Sequence, residues 1–382
     1  MKKLKILQVN KLYAPFTGGV EQVVQQIAEG LSDRVSMRVL VCSEDKKDST
    51  DTIGGVKVHR SGSFFMLGNL PLSLKFLRDF KKVAKHYDVI HFHMPFPVGD
   101  LAALLSGYQG KIVVWWHSDV VRQKKMMLLY KPIMERFLKR ADAIIVATQG
   151  HIDGSAYLKP YADKCRVIPF GVNPTLEQKA DEWLLKQAEK EDTPEENRPV
   201  RFLFVGRLIY YKGCKVLLEA FRQVKNAELI LVGDGALKGE LQELATQYRL
   251  TEKVHFLGSA EDETLYRQFA ECDVFVLPSI ARSEAFGLVQ IEAMSFGKPV
   301  INTNLKSGVP YVSIHGLTGL TVEPENVQEL ANAMNWMAEH KEERTQMGKN
   351  AKKRVKEEYQ MSQMLDGVFA LYQELCGQSQ KM

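Results

Sequence analysis

The side chains best placed to do chemistry lie in the run Ser283-Glu-Ala-Phe-Gly-Leu-Val-Gln-Ile-Glu292, where Glu284 and Glu292 stand eight positions apart with Gly287 between them. The strand-like Val274-Phe-Val-Leu277 precedes this run, ending at Pro278-Ser279, and a helical pattern follows it. At the start of that helix the backbone N–H groups of Phe286, Gly287 and Leu288 lack intrahelical partners, which suits a phosphate. Gly287 lets a ligand approach the backbone closely. At helical rise, eight residues span about 12 Å, so the two carboxylates can hold opposite ends of one elongated ligand. Either Glu alone reads more readily as a helix-end charge. The pair, the glycine and the strand–turn–helix setting together favour a ligand site.

Val205-Gly206-Arg207-Leu-Ile-Tyr-Tyr-Lys212-Gly213 follows another strand and puts a guanidinium and an ammonium five positions apart. Two cations at a strand's carboxyl end suit a diphosphate, above all a leaving one that gains charge as its bond breaks. Gly233-Asp234-Gly235, again at a strand end, is a common turn whose functional reading is a loop near the nucleotide. Near the N-terminus, Gly18-Gly19 opens a helix and exposes N–H groups. The Gly-x-Gly-x-x-Gly fingerprint is absent there, which speaks against a dehydrogenase. His117 ends the strand Ile112–Trp115, where it can hydrogen-bond a sugar hydroxyl or handle a proton. His91, within Asp88–His93, reads as structural.

These residues need strands to present them. Short apolar runs alternate with helical patterns along all 382 residues. Leu4–Val9, Val39–Val41, Val89–Phe92, Ile112–Trp115, Ile144–Ala147 and Arg166–Ile168 predict one series of strands. Phe202–Val205, Glu228–Val232, Val254–Leu257, Val274–Leu277, Val300–Asn302 and Gly319–Val322 predict a second. The expected fold class is α/β, with two facing Rossmann-like, doubly wound domains and the site in the cleft between them. The expected boundaries are 1–175 for the first domain, 176–199 for a charged linker and 200–360 for the second domain. By analogy, the terminal helix 361–382 packs back on the first domain.

A 45% hydrophobic, 25% charged composition and a net charge of +5 describe a globular protein. Five scattered cysteines without a Cys-x-x-Cys pair fit neither a zinc site nor a disulfide framework, and point to a reducing compartment. Lys5 and Gln8 break any signal-like apolar core, and no run approaches the ~20 apolar residues of a membrane span. The expected location is cytoplasmic, peripheral to the inner membrane's cytoplasmic face if anywhere.

Taken together, Gly206-Arg207…Lys212-Gly213 and Glu284-x7-Glu292 resemble the family 4 retaining glycosyltransferases, which have the two-domain GT-B fold. The resemblance runs through nearly the whole chain, including Gly18-Gly19 and His117. The longer run Ala281–Met294 with Gly308-Val-Pro310 is similar to a bacterial surface-polysaccharide subgroup that includes O-antigen mannosyltransferases. The resemblance implies that Arg207 and Lys212 bind the donor diphosphate with backbone N–H groups near Phe286–Leu288. It implies that Glu284 and His117 contact the donor sugar, Glu292 the ribose, and that Gly258 lies near the base. Gly18 and Gly19 would approach the phosphate, and Gly233 would lie beside the nucleotide. The implied reaction moves a hexose with retention, needs neither metal nor cofactor, and proceeds by front-face attack of the acceptor hydroxyl.

Two basic clusters fall in the first domain, which takes the acceptor in that family. Arg122, Lys124, Lys125, Lys131, Arg136, Lys139 and Arg140 interleave with apolar residues, and Lys75, Arg78, Lys81, Lys82 and Lys85 line a helix. They suit a lipid-linked glycan acceptor at an anionic inner leaflet, or simply a solvated helix face. No nucleic-acid module accompanies them. The alternatives are a nucleotide-sugar epimerase of the same fold and a non-catalytic nucleotide-sugar-binding subunit. Glu284→Ala is expected to abolish transfer and leave the fold intact.

Overall fold

The structure is a computed structural model that describes residues 3–16, 18–67, 70–119, 124–188 and 198–377. The chain forms two units: Met1–Ala147 with Ser155–Pro169 and Ser362–Met382, and Thr148–Gly154 with Phe170–Met361.

The first unit carries β1 (Lys5–Val9), β2 (Ser36–Cys42), β3 (Ser49–Ile53), β4 (Val56–Ser61), the small hairpin β5 (Phe65–Leu67) and β6 (Leu70–Leu72), β7 (Val89–Met94), β8 (Lys111–Trp116), β9 (Ala143–Val146) and β10 (Cys165–Val167). Eight of them make one sheet in the order β10-β9-β8-β7-β1-β2-β4-β3. It is parallel except for the edge strand β3, antiparallel to β4. Helices cover both faces of such a sheet, so its inner strands are buried and largely apolar. In β7 every residue is buried, including His91 and His93.

The second unit's sheet has the order β13-β12-β11-β14-β15-β16, all parallel. Its strands are β11 (Val200–Val205), β12 (Ala227–Val232), β13 (Val254–Gly258), β14 (Val274–Val276), β15 (Val300–Thr303) and β16 (Gly319–Val322). This is the doubly wound order with a switch point between the unit's first and fourth strands, here β11 and β14. Phe202, Phe204, Leu229, Leu231 and Val276 pack with Leu217, Phe221 and Met334 as its core.

Two expectations need correction. Pro174–Ala188, assigned to the linker from 176, is a helix of the second unit with Leu176 and Ala180 buried. Lys352 binds Asp181 at 2.5 Å and Gln360 donates to Glu177 at 2.7 Å, which ties this helix to the C-terminal part of its unit. The charged remainder, 189–197, lies outside the described residues. The strand pair β3–β4 was not anticipated: β3, Ser-Thr-Asp-Thr-Ile, is exposed and polar and lacks the apolar run that marks the other strands. The helix Met361–Leu375 closes the chain, with Met364, Val368, Leu371 and Tyr372 buried and Arg34 bound to Asp366 at 2.5 Å.

Candidate active site

At the switch point of the second unit, the segments that follow β11 and β14 are joined. The Ile280 N–H donates to the Tyr211 carbonyl at 2.8 Å. A side chain on Gly213 (φ +72°) would collide with the Pro278 carbonyl, so only glycine permits this approach. The result is a buried ion pair: Lys212 Nζ lies 2.6 Å from Glu284 Oε2, with the side chains only 11% and 9% exposed. Ser279 Oγ donates to the same oxygen at 3.1 Å, and the Ser279 carbonyl accepts from Thr303 Oγ1 at 2.6 Å. Burial works against the Lys212 charge, but the Glu284 carboxylate outweighs it and holds the ammonium above its ordinary range. Arg207 is exposed beside this pair in sequence and donates to the Tyr211 hydroxyl at 3.3 Å.

The glycines of this unit serve backbone packing first. The Gly206 N–H bonds the Val232 carbonyl, the Leu208 N–H bonds the Asp234 carbonyl, and the Gly233 N–H reaches the Gly258 carbonyl at 2.7 Å. Gly233 has φ +133°, and a side chain there would run into the Gly206 carbonyl. The Gly233-Asp-Gly and Gly206-Arg-Leu loops are therefore one backbone-to-backbone layer, with Gly258 against its back.

Glu284 does not stand on a helix. Helical geometry begins at Leu288 and runs to Ser295, with Gly287 as the N-cap in the left-handed region (φ 72°, ψ 65°) and no side-chain cap. The 12 Å separation derived from helical rise therefore does not apply to Glu284 and Glu292. The uncapped end leaves first-turn N–H groups without intrahelical partners. Of the expected phosphate contacts, Gly287 and Leu288 lie at this end. Phe286 turns its ring inward, edge-on to Phe170 and Tyr359. Gln290 fixes the turn: its amide donates to the Phe286 carbonyl at 2.8 Å and its carbonyl accepts from Asn302 at 2.9 Å. Glu292 keeps part of its side chain accessible, yet burial of the carboxyl, aided by Asp262, pushes its pKa up to about 7.

In the first unit, Gly18 caps the helix Gly19–Gly30 without a side-chain bond. The Glu21 carboxylate lies where a side chain on Gly18 would stand. A phosphate brought to Gly18-Gly19 would meet that carboxylate. His117 follows β8, is buried, and its Nε2 lies 2.8 Å from Nδ1 of His93. His93 in turn lies 2.7 Å from Gln8, and Gln8 donates to Tyr372 at 3.0 Å. His91 is structural in its surroundings: wholly buried, with its pKa lowered by burial to about 3. Sequence reasoning gave no role to Gln8, left His93 unassigned at the end of Asp88–His93, and gave none to Tyr372. The signal for the first two was there: a polar residue in a buried strand and a His-x-His alternation that puts both rings on one face.

The basic clusters are partly neutralised. Lys75 and Arg78 pair with Asp48, Lys131 with Glu135 and Arg140 with Asp142. Arg122 lies outside the described residues, as do the side chains of Lys124 and Lys125. Leu128 and Leu129, at 77% and 81% exposure, stand out on the same helix, Lys124–Arg140. Among the described residues no helix is long and apolar enough to cross a membrane, and no group of three or more His, Cys, Asp or Glu is arranged to hold a metal ion.

Comparison with known proteins agrees with this architecture. Residues 17–176 match the model "Glycosyltransferase Family 4", and residues 186–354 match "Glycosyl transferases group 1". The chain is 34% identical to O-antigen chain mannosyltransferase C of Escherichia coli, over 97% of this chain and 99% of that one. It is 35% identical to D-rhamnosyltransferase WbpZ of Pseudomonas aeruginosa, over 93% and 92%. Among solved structures, Anabaena Alr3699/HepE in complex with UDP superposes with a TM-score of 0.75 at 23% identity, covering 97% of this chain and all of that one, a likeness of fold. Two Rossmann-like units, two matching family models and relatives aligned nearly end to end lead to one assignment: this chain belongs to the glycosyltransferases of the GT-B fold.

Proposed function

We propose that this glycosyltransferase moves a hexose, in the first instance mannose, from a nucleotide-linked donor to a lipid-linked glycan in surface-polysaccharide or O-antigen synthesis. The mannose preference comes from the printed activity of the E. coli relative, and the D-rhamnosyltransferase relative keeps the choice of sugar open to test. The donor's nucleotide is GDP or UDP, a choice left to the assay below.

The observation that carries the reading is the Lys212–Glu284 pair at the β11–β14 switch point. In the proposed complex Arg207 and Lys212 take the diphosphate, aided by N–H groups at Gly287 and Leu288. Their charge meets the negative charge that grows on the leaving group. Glu284 uses Oε2 for Lys212 and Ser279, so Oε1 is assigned to a hydroxyl of the sugar. Glu292 takes the ribose, Gly233 and Gly258 back the nucleotide, and His117 takes a sugar hydroxyl. Gly18 and Gly19 come near the phosphate only if Glu21 turns aside. Retention by front-face attack, without a metal, completes the proposal. The acceptor is assigned to the first unit, whose exposed Leu128 and Leu129, on the same helix as Arg136 and Lys139, suit a lipid at the inner leaflet.

The test is incubation of the purified protein with labelled GDP-, UDP- and dTDP-sugars and membrane lipid extract, with and without EDTA. Label transferred to lipid with the donor's anomeric configuration, undiminished by EDTA, is the expected result. Interconversion of the free nucleotide-sugars would favour an epimerase, and binding without turnover a non-catalytic subunit.

A further inference from the structure

In the first unit a pocket of about 330 Å³ opens between the helix Leu74–Val83 and the β1-β2-β4 part of the sheet. Strand alternation brings every second residue to its wall. Leu7, Arg38 and Lys57 lie side by side in register on β1, β2 and β4, and Leu40 and His59 begin the next row. The edge strand β3 sets Thr50 opposite His59. The helix adds Asp79 and Lys82, and Tyr87 stands just before β7. Arg38 and Lys57 fall near the starts of their strands, whereas His117 follows the carboxyl end of β8.

The charges here are not those a sheet needs. Arg38 and Lys57 are direct neighbours on adjacent strands, whose backbones run about 4.8 Å apart. Like charges so placed repel. Lys82, in the last turn of the helix, brings a third cation. A helix end carries about half a unit of negative charge, too little to balance three cations. All three are exposed, and among the described residues none of them forms an ion pair. The acid in the lining, Asp79, is buried and engaged elsewhere. It accepts from Arg78 Nε and Ser61 Oγ, each at 2.9 Å, and lies 3.5 Å from His59 Nε2. Thr50 Oγ1 lies 2.8 Å from His59 Nδ1, which puts a hydroxyl beside the cations. A guanidinium fork with two ammonium groups is the donor set that meets a doubly charged oxyanion. The volume stands at the lower end of small-molecule sites, and the buried Leu7 and Leu40 give the pocket an apolar floor.

We propose that Arg38, Lys57 and Lys82 form a binding site for a phosphomonoester, with its phosphoryl oxygens on the three cations and its carbon skeleton over Leu7 and Leu40. None of these residues belongs to the proposed donor site, so the two assignments stand or fall separately.

The test uses the whole protein with GDP and UDP both present in excess, so that the donor site is filled. Its histidines are labelled with nitrogen-15, and the His59 ring, which lines the pocket, is identified by its loss in His59→Asn. Glycerol 3-phosphate should shift that ring saturably, with a Kd below about 10 mM. The double variant Arg38→Gln with Lys57→Gln should weaken this at least about tenfold. It should melt no lower than wild type, because it loses two like charges that face each other. Lys82→Gln, at an exposed helix position, weakens binding in the same direction and serves if the double variant does not fold. Vesicles of phosphatidylcholine with and without phosphatidic acid separate the two sources of such a group. Sedimentation with phosphatidic acid that the double variant loses, without a response to glycerol 3-phosphate, assigns the phosphomonoester to a lipid headgroup. A His59 ring that answers neither probe overturns the proposal, and so does a response that the double variant and Lys82→Gln keep in full.

Discussion

Glu284→Gln isolates the charge of the buried pair from its shape. The amide still accepts from Ser279 and Lys212 but no longer balances the ammonium. At 2.6 Å and an effective dielectric near 20, the lost attraction is about 6 kcal/mol gross. An amide dipole and entering water recover part of this, and breaking buried pairs costs about 3–5 kcal/mol in measured cases. The lower end is expected, because both side chains keep some exposure. That corresponds to a melting temperature lowered by roughly 6–12 °C for a unit of this size. Glu284→Ala, which sequence reasoning offers as a clean active-site probe, is therefore not clean: it strands a buried cation as well as removing the proposed sugar contact.

The remedy is to supply another anion. If Lys212 faces the diphosphate, GDP or UDP at saturation should close most of the melting deficit of Glu284→Gln, while stabilising the wild type less. The double variant Lys212→Met with Glu284→Gln removes both charges and should melt within a few degrees of wild type, yet transfer no sugar. Thermal unfolding by intrinsic fluorescence, with and without nucleotide, reads all of these. An unchanged melting temperature for Glu284→Gln would refute the pair as a buried one. A deficit that neither nucleotide narrows would refute the assignment of Lys212 to the diphosphate, and a double variant that transfers sugar would refute the site.

Other parts of the molecule give independent tests. The Glu292 carboxyl, at about 7 against an ordinary 4.5, holds a proton between those values that the unfolded chain releases, so its contribution to stability falls as pH rises through that window. Glu292→Gln should flatten this slope and gain about 1–2 kcal/mol near pH 8 in urea unfolding. If the ionised form accepts from a ribose, nucleotide affinity of the wild type should rise as pH passes 7, by calorimetry. Asp100, wholly buried against the Tyr130 hydroxyl, is pushed by burial up to about 8. Asp100→Asn should gain stability over wild type as pH rises from 4 to 8, by about 2 kcal/mol at the upper end. Gly233→Ala combines a positive φ with a clash on the Gly206 carbonyl and should cost more than about 2 kcal/mol. Gly239→Ala, on a helix with open space around it, should be neutral or stabilising by about 0.5 kcal/mol.

The features legible from sequence were those whose physics is local. A strand buried on both faces must be a continuous apolar run, and all twelve strands so predicted are present, eleven within a residue or two and Val39–Val41 as part of the longer Ser36–Cys42. The edge strand β3 lacked that signature. Its better clue was the turn: Gly54-Gly55, both with positive φ, is the two-residue connection that a tight hairpin prefers. The helix Pro174–Ala188 was hidden by its charges, because Asp181 and Glu177 look like linker residues until Lys352 and Gln360, distant in sequence, are brought against them. The same holds at the site. Arg207, Lys212, Glu284 and Glu292 announce themselves by type and spacing, but that Lys212 and Glu284 bind each other depends on β11 and β14 being neighbours. The row from Tyr372 to His117 was still less accessible, since 364 positions separate Gln8 from Tyr372.

The strand order also decides what the two carboxylates can do. Met in sequence, Glu284 and Glu292 could be an acid–base couple, and an environment that splits their behaviour is what such a couple needs. Their surroundings do differ, but in the wrong sense for a hydrolase. Glu284 carries the counter-charge of an ammonium 2.6 Å away and accepts a second bond from Ser279, so its Oε2 is already committed. Glu292, whose pKa burial raises to about 7, can hold a proton near neutral pH, but stands in the body of the helix Leu288–Ser295, beyond its uncapped first turn. A carboxylate already committed to a cation is suited to holding a hydroxyl and to keeping Lys212 in place until a diphosphate arrives. Chemistry of that kind works by position and charge, and the glycine-built loop layer lies next in sequence to the buried charged pair at the β11–β14 switch point.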